Sequence, residues 1–157
     1  MSIGTNSPAF QLWVRLVRSH QRIHGLVDSA FKAEGLPPLE WYDVFLELER
    51  IGEPLRARDL EQKLLLAQYN LSRLLDRLEK RRLILRRPDP DDGRSRLIEI
   101  SEQGLALRRK MWPIYKREIE RAVGGRLTAE ETTELAGLLE PLAASDEAQS
   151  KAKAGSE

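Results

Sequence analysis

The chain has 157 residues, with 26 lysines and arginines against 25 aspartates and glutamates and a formal net charge of +1, so the overall charge argues against a nucleic-acid partner if it argues at all. The lack of cysteine excludes disulfides, thiolate metal centres and cysteine redox sensing. No apolar run reaches membrane-spanning length, residues 1–10 lack the basic-then-apolar pattern of a leader, and the expectation is one soluble, cytoplasmic domain with its own core.

In chain order, Pro8 suits a helix start, and Trp13, Leu16, Val17, His20, His24, Val27 and Phe31 recur at three- and four-residue steps. That spacing predicts an amphipathic helix over 8–34, ended by Gly35 and the Pro37-Pro38 loop. A second helix is expected over 39–51 with Trp41, Val44, Phe45 and Leu48 inside, and a short one over 57–65 with Leu60 and Leu64 buried.

Residues 67–82 predict a third amphipathic helix. Leu71, Leu74, Leu75 and Leu78 share one face, and Tyr69, Ser72, Arg73, Asp76 and Lys80 the other, with Asn70, Arg77 and Gln68 at the flanks. Two short strands, near 83–87 and 96–100, flank the turn Pro88–Gly93, whose prolines are expected to hold it out of a regular ladder. Ser101–Gly104 opens a long helix to about Val123, with a kink expected at Pro113. Thr128 and Glu131 form a capping box for a last helix with Leu135, Leu138, Leu139 and Leu142 inside. Residues 145–157 are small and polar and are expected to be disordered.

Charge is unevenly placed. Leu66–Arg96 holds nine basic and five acidic residues, net +4, on an otherwise slightly acidic chain. A leucine-backed helix followed by a basic hairpin is a recognition helix followed by a β-wing, and it points to double-stranded DNA. Gln68, Tyr69 and Asn70 in the first turn, with Ser72 and Arg73, suit base edges in a major groove. Arg77, Lys80 and Arg81 suit phosphates. Arg94 at the wing tip suits a narrow minor groove, its guanidinium held by a forked hydrogen bond to Asp92. Arg86 and Arg96 on the strands complete the DNA-facing set.

The stretch RLLDRLEKRRLILRRPDPDDGRSRLIEISEQG resembles the signature of MarR-family winged helix-turn-helix regulators, and PLEWYDVFLELE and LTAEETTELAGLLEPL extend the resemblance to about Ala144. It implies a mainly α fold with a small β-wing, in a single domain over 1–157. Within it, residues 39–100 would form the winged helix-turn-helix, and residues 8–34 and 102–144 the dimerisation helices. The implied function is a homodimeric regulator, a repressor on a pseudopalindromic operator, released by a small aromatic or phenolic acid. Tyr69, Asn70, Ser72, Arg73, Arg77, Arg94 and Arg96 match DNA-contact positions of the family, and Asp92 the residue that steadies Arg94. The chain departs from the family pattern twice. Ala67 stands where a Ser or Thr N-cap is common, and Arg82 stands where Gly commonly precedes the wing and is expected to adopt another conformation or add a phosphate contact.

Trp13, Arg18 and His20, with Trp41 and Tyr42, are candidates for an effector cleft, since aromatic walls beside a cation suit an aromatic carboxylate. Core or dimer packing competes with that reading for both tryptophans. His20 and His24, four residues apart, could chelate a metal from one helix face, but no third ligand is evident and a half-buried pair at a dimer seam is preferred. No metal and no cofactor are expected. An enzyme is not expected either, for want of a phosphate loop, a nucleophile elbow or a metal triad. The alternative function is a winged-helix protein-interaction module without specific DNA binding.

Overall fold

The computed structural model describes residues 7–65 and 70–144. Helix α1 (Pro8–Ala33) starts at its proline, capped by the Ser7 hydroxyl, which accepts from the Phe10 amide at 3.2 Å. It ends in a Schellman turn. Gly35 takes the left-handed conformation (φ 67°), and the Gly35 and Leu36 amides return to the Lys32 and Phe31 carbonyls. Helix α2 (Leu39–Ile51) has Pro38 as N-cap and so no capping side chain of its own. Asp28 of α1 substitutes, its Oδ1 accepting from the Leu39 amide at 2.8 Å. The expected inner face of α2 is buried, and Tyr42, Asp43 and Glu47 are buried with it.

After Gly52 and Pro54 the chain forms a two-residue strand, β1 (Leu55–Arg56), which the apolar pattern does not signal. Helix α3 (Ala57–Glu61) is shorter than the predicted 57–65. Helix α4 (Leu71–Lys80) follows, then strands β2 (Ile84–Asp89) and β3 (Asp92–Ile100). The antiparallel sheet has the order β1-β3-β2. The expected open turn at Pro88–Gly93 is corrected, because the ladder runs through Pro88 (opposite Arg96) and Asp89 (opposite Asp92). Strand β2 is an edge strand, where the missing proline N–H is tolerated.

One apolar core joins these elements. Leu74, Leu75 and Leu78 of α4 pack with Val44, Phe45 and Leu48 of α2, Leu60 of α3, and Ile84 and Ile98 of the sheet, with Leu71 partly buried at the edge. Burial of each such side chain contributes about 1.5–3 kcal/mol, which holds α4 leucine-side down.

The exit from α4 is a second Schellman turn, made without glycine. Arg82 has φ 61°, its amide returns to the Glu79 carbonyl, and the Leu83 amide returns to the Leu78 carbonyl. Arg82 thus takes the left-handed conformation of the usual glycine, which corrects the expectation of another conformation there, at a cost of about 1–2 kcal/mol. Ser101 locks the same corner. Its hydroxyl donates to the Arg82 carbonyl (2.7 Å) and accepts from the Gly104 amide (3.1 Å). A Cβ on Gly104 would stand 2.2 Å from the Leu83 carbonyl oxygen, so only glycine allows the approach.

Helix α5 (Glu102–Gly124) begins there and continues through Pro113. Helix α6 (Ala129–Ala143) opens on the predicted capping box. The Glu131 amide donates to Thr128 Oγ1 (3.1 Å) and the Thr128 amide to Glu131 Oε2 (2.8 Å). The chain divides into two compact units, Met1–Glu118 and Ile119–Glu157. In the second unit Leu135, Leu138 and Leu142, expected inside, are exposed on the single chain. The expected tail at 145–157 lies outside the described residues.

Two substitutions test the corner. Arg82→Gly should raise the free energy of unfolding by about 1 kcal/mol, with Arg82→Ala near neutral. Gly104→Ala should lower it by about 1–3 kcal/mol. Urea midpoints at constant slope measure both, and a stabilising Gly104→Ala would refute the close approach.

Candidate nucleic-acid interface

Asn70 is the N-cap of α4, with its side-chain Oδ1 accepting from the Arg73 amide at 3.1 Å. This corrects the expected helix start at Ala67, and the missing cap is supplied by Asn70 instead. Its carbonyl oxygen is therefore committed to the helix, and its NH2 group remains the donor it can offer outward. Gln68 and Tyr69 lie outside the described residues. Ser72, Arg73, Arg77 and Lys80 are exposed opposite the leucine face. The Arg81 guanidinium instead lies over the Trp41 ring, 5.1 Å from its centroid.

Arg86, expected at the DNA, is turned back onto α4. Its Nη2 donates to Asp76 Oδ1 at 2.6 Å and its Nε to Glu79 Oε2 in a shorter contact, leaving the side chain 17% exposed. Burial disfavours its charged form, yet the two carboxylates hold its pKa above the ordinary arginine value. The physical reason for the correction is geometric: β2 runs beside α4, so a long cation pointing from the strand meets the helix carboxylates first.

The hairpin tip rests on two aspartates. Asp89 is buried, accepts from the Asp91 amide (2.9 Å), and takes Arg56 Nε of β1 at 2.6 Å. Asp92 accepts from the Arg94 amide (3.1 Å) and the Ser95 hydroxyl (2.8 Å). The expected fork between Asp92 and the Arg94 guanidinium is thus corrected. Asp92 shapes the backbone beneath Arg94, because its short side chain reaches the amide two residues ahead and the hydroxyl three residues ahead more readily than a solvated guanidinium. The register jumps from Pro88–Arg96 to Asp89–Asp92, so Gly93, Arg94 and Ser95 have no opposite residues on β2 and bulge outward. Arg94 and Arg96 are exposed. The Arg56–Asp89 pair lies 33 residues apart in sequence, and no local spacing announces it.

The Asp91 amide, and after it Arg56, holds the Asp89 pKa below the ordinary carboxylate value, and Ser95 and the Arg94 amide do the same for Asp92. A depressed pKa contributes stability that is present above the ordinary value and lost as pH falls through the folded one. Acidification below about pH 4 should therefore loosen the hairpin tip first. Amide-exchange protection of Asp91 and Arg94 should fall before that of the core strands, and simultaneous loss would contradict the role of these carboxylates.

The five effector candidates are not gathered at one site. Trp41 is buried in the winged core, Tyr42 is buried among other rings, and Trp13 (62% exposed), Arg18 and His20 lie exposed on α1. The His20 and His24 rings are 5.8 Å apart. A cleft of about 390 Å3 beside the start of α4 is lined by Glu61, Asn70, Ser72 and Arg86 among others, and none of the five borders it. Tyr42 instead meets Tyr115 edge-on at 5.0 Å and stacks offset on Trp112 at 6.3 Å, and Arg108 Nη1 donates to its hydroxyl at 3.3 Å. Desolvation raises the Tyr42 and Tyr115 pKa values. Arg108 also pairs with Glu49. The sequence reading missed Arg108, Trp112 and Tyr115, although their i, i+4, i+7 spacing marks one helix face.

Comparison with known proteins gives a consistent result. The model of the MarR family matches residues 34–95. The HTH-type transcriptional regulator YkoM of Bacillus subtilis is 32% identical over 116 residues, 74% of this chain and 72% of that protein. The HTH-type transcriptional regulator MhqR of the same organism is 26% identical over 127 residues, 81% of this chain and 85% of that protein. A crystal structure of mutant MarR from E. coli complexed with operator DNA shares the fold. Its TM-score is 0.76 at 21% identity, over 91% of this chain and all of that one.

Proposed function

The chain belongs to the MarR family of DNA-binding transcriptional regulators, and from that premise we propose that it acts as a homodimeric repressor on a pseudopalindromic operator and is released by a small aromatic acid. The observation that carries the DNA reading is a set of exposed cations on α4 and the hairpin that follows it. Arg73, Arg77 and Lys80 stand on the outer face of α4, which Arg86 ties to a wing that projects Arg94 and Arg96. In the proposed mode α4 enters a major groove. Ser72, Arg73 and the Asn70 NH2 group face base edges, with Gln68 and Tyr69 at the same end, while Arg77 and Lys80 meet phosphates. Arg94 enters the adjacent minor groove on the bulge that Asp92 holds, with Arg96 behind it.

Dimerisation is supported by what the single chain leaves exposed. Phe10, Leu12 and Trp13 on α1 and Leu135, Leu138 and Leu142 on α6 are large apolar side chains open to water, and a partner that covers them gains about 25 cal/mol per Å2 of apolar area. In this reading residues 39–100 form the DNA-binding part, and 8–34 and 102–144 the dimer base.

The effector reading moves from the five expected residues to the rings around Tyr42. Trp112 is 45% exposed and stacks on Tyr42 beside the Arg108 guanidinium, a combination that suits an aromatic ring bearing a carboxylate. A ligand that prefers one dimer conformation by about 1–3 kcal/mol would change operator affinity about 5- to 150-fold.

Arg73→Ala should cost about 1–3 kcal/mol of operator affinity and relax sequence preference at one position. Arg94→Ala should weaken binding while light scattering still reports a dimer. Mobility shifts on operator and scrambled duplexes measure both. If both variants bind like the parent, the DNA-facing assignment is wrong.

A further inference from the structure

Where α1 meets α2, three metal-ligating side chains converge that the DNA interface does not use. His24 and Asp28 lie one turn apart on α1, and Glu40 lies in the first turn of α2. His24 Nδ1 is 3.4 Å from Asp28 Oδ2, and His24 Nε2 is 3.5 Å from Glu40 Oε1. Both separations exceed those of a well-made N–H···O bond, about 2.7–3.2 Å. Each separation taken alone is close to the roughly 3.4 Å between two N and O ligands each about 2.1 Å from one tetrahedral ion; because the two involve opposite ring nitrogens, an ion held by one nitrogen and its near carboxylate needs the other carboxylate to rotate toward it. One ligand atom from each of the three residues lies within 4.8 Å of the others.

The group is also oriented. Asp28 Oδ1 is held by the Leu39 amide, which leaves Oδ2 turned toward His24. The three side chains are 24%, 32% and 26% exposed, sheltered by both helices yet reachable from water. With a neutral imidazole the cluster carries two negative charges close together, which a divalent cation neutralises. The donors are imidazole nitrogen and carboxylate oxygen with no thiolate, a set that favours the Zn2+ class over Mg2+ or Ca2+.

We propose that His24, Asp28 and Glu40 bind a divalent transition-metal ion of the Zn2+ class, which cross-links α1 to the first helix of the winged part. The imidazole gives one nitrogen to the ion, and water completes the coordination. His20, exposed on the preceding turn of α1 with its ring 5.8 Å from that of His24, is not one of the three ligands. The ion stabilises the folded chain by mass action, because the three ligands converge only when α1 and α2 are docked.

The test uses the full chain after treatment with a chelator, titrated with Zn2+ by calorimetry and with Co2+ by visible absorption. Saturable binding of one ion per chain is expected, with a rise in Tm and no competition from excess Mg2+. His24→Gln and Glu40→Gln should each weaken Zn2+ binding by at least about tenfold while circular dichroism shows the metal-free fold intact, and His20→Gln should bind like the parent. Absence of saturable binding, or binding that survives both His24→Gln and Glu40→Gln, overturns the proposal and leaves the three groups as an interhelical polar clamp. Loss of binding in His20→Gln alone overturns it in favour of a two-histidine chelate.

Discussion

Arg86 is the contact on which the interface depends. It sits on the edge strand of the sheet and reaches two carboxylates on the outer side of α4. Removal of a largely buried cation would leave those carboxylates unpaired, whereas the intact pair adds little net stability over an apolar substitute. Its main effect is therefore positional: it sets where the wing lies relative to the recognition helix. It has an electrostatic effect as well. Asp76 and Glu79 would otherwise repel phosphate from the face that carries Arg73, Arg77 and Lys80. Once paired with Arg86, they leave that face cationic even though the whole chain is almost neutral.

The wing applies the same logic at its tip. Asp89 is anchored by Arg56 of β1, so the hairpin is fastened to the body of the sheet. Beyond that anchor the register jump puts three residues on a bulge, and Asp92 holds the bulge through backbone and hydroxyl donors. Arg94 is thereby left with a fixed backbone and an exposed side chain. The corner formed by Arg82, Ser101 and Gly104 ties the end of α4 to the start of α5, so α4 and the hairpin that follows it share one support.

Local periodicity carries the elements that are legible in the sequence. The extent of α1, the inner face of α2, the leucine face of α4 and the Thr128–Glu131 box each arise from residues three or four apart, and each stands where the spacing places it, although of the α1 stripe only Val27 and Phe31 are buried. What escapes is set by tertiary contact. Strand β1 exists because Leu55 and Arg56 pair with Ile98 and Leu97, more than 40 residues away. Arg86 reads as one more basic residue until β2 is laid beside α4. The aromatic group around Tyr42 needs α2 and α5 side by side before Arg108, Trp112 and Tyr115 acquire meaning. Arg82 shows a third limit, since a turn geometry usually marked by glycine is kept here by its hydrogen bonds despite the side chain.

The central claim, that this cationic face grips duplex phosphates, is tested most directly by the ionic-strength dependence of duplex affinity. With six exposed cations per chain presented by α4 and the wing strands (Arg73, Arg77, Lys80, Arg87, Arg94 and Arg96), a dimer would make several phosphate contacts, and about six to ten predict a fall of roughly 10^3–10^5 in affinity between 50 and 200 mM salt. Affinity that is flat with salt over that range, or no duplex binding at the lower end of it, would contradict the account.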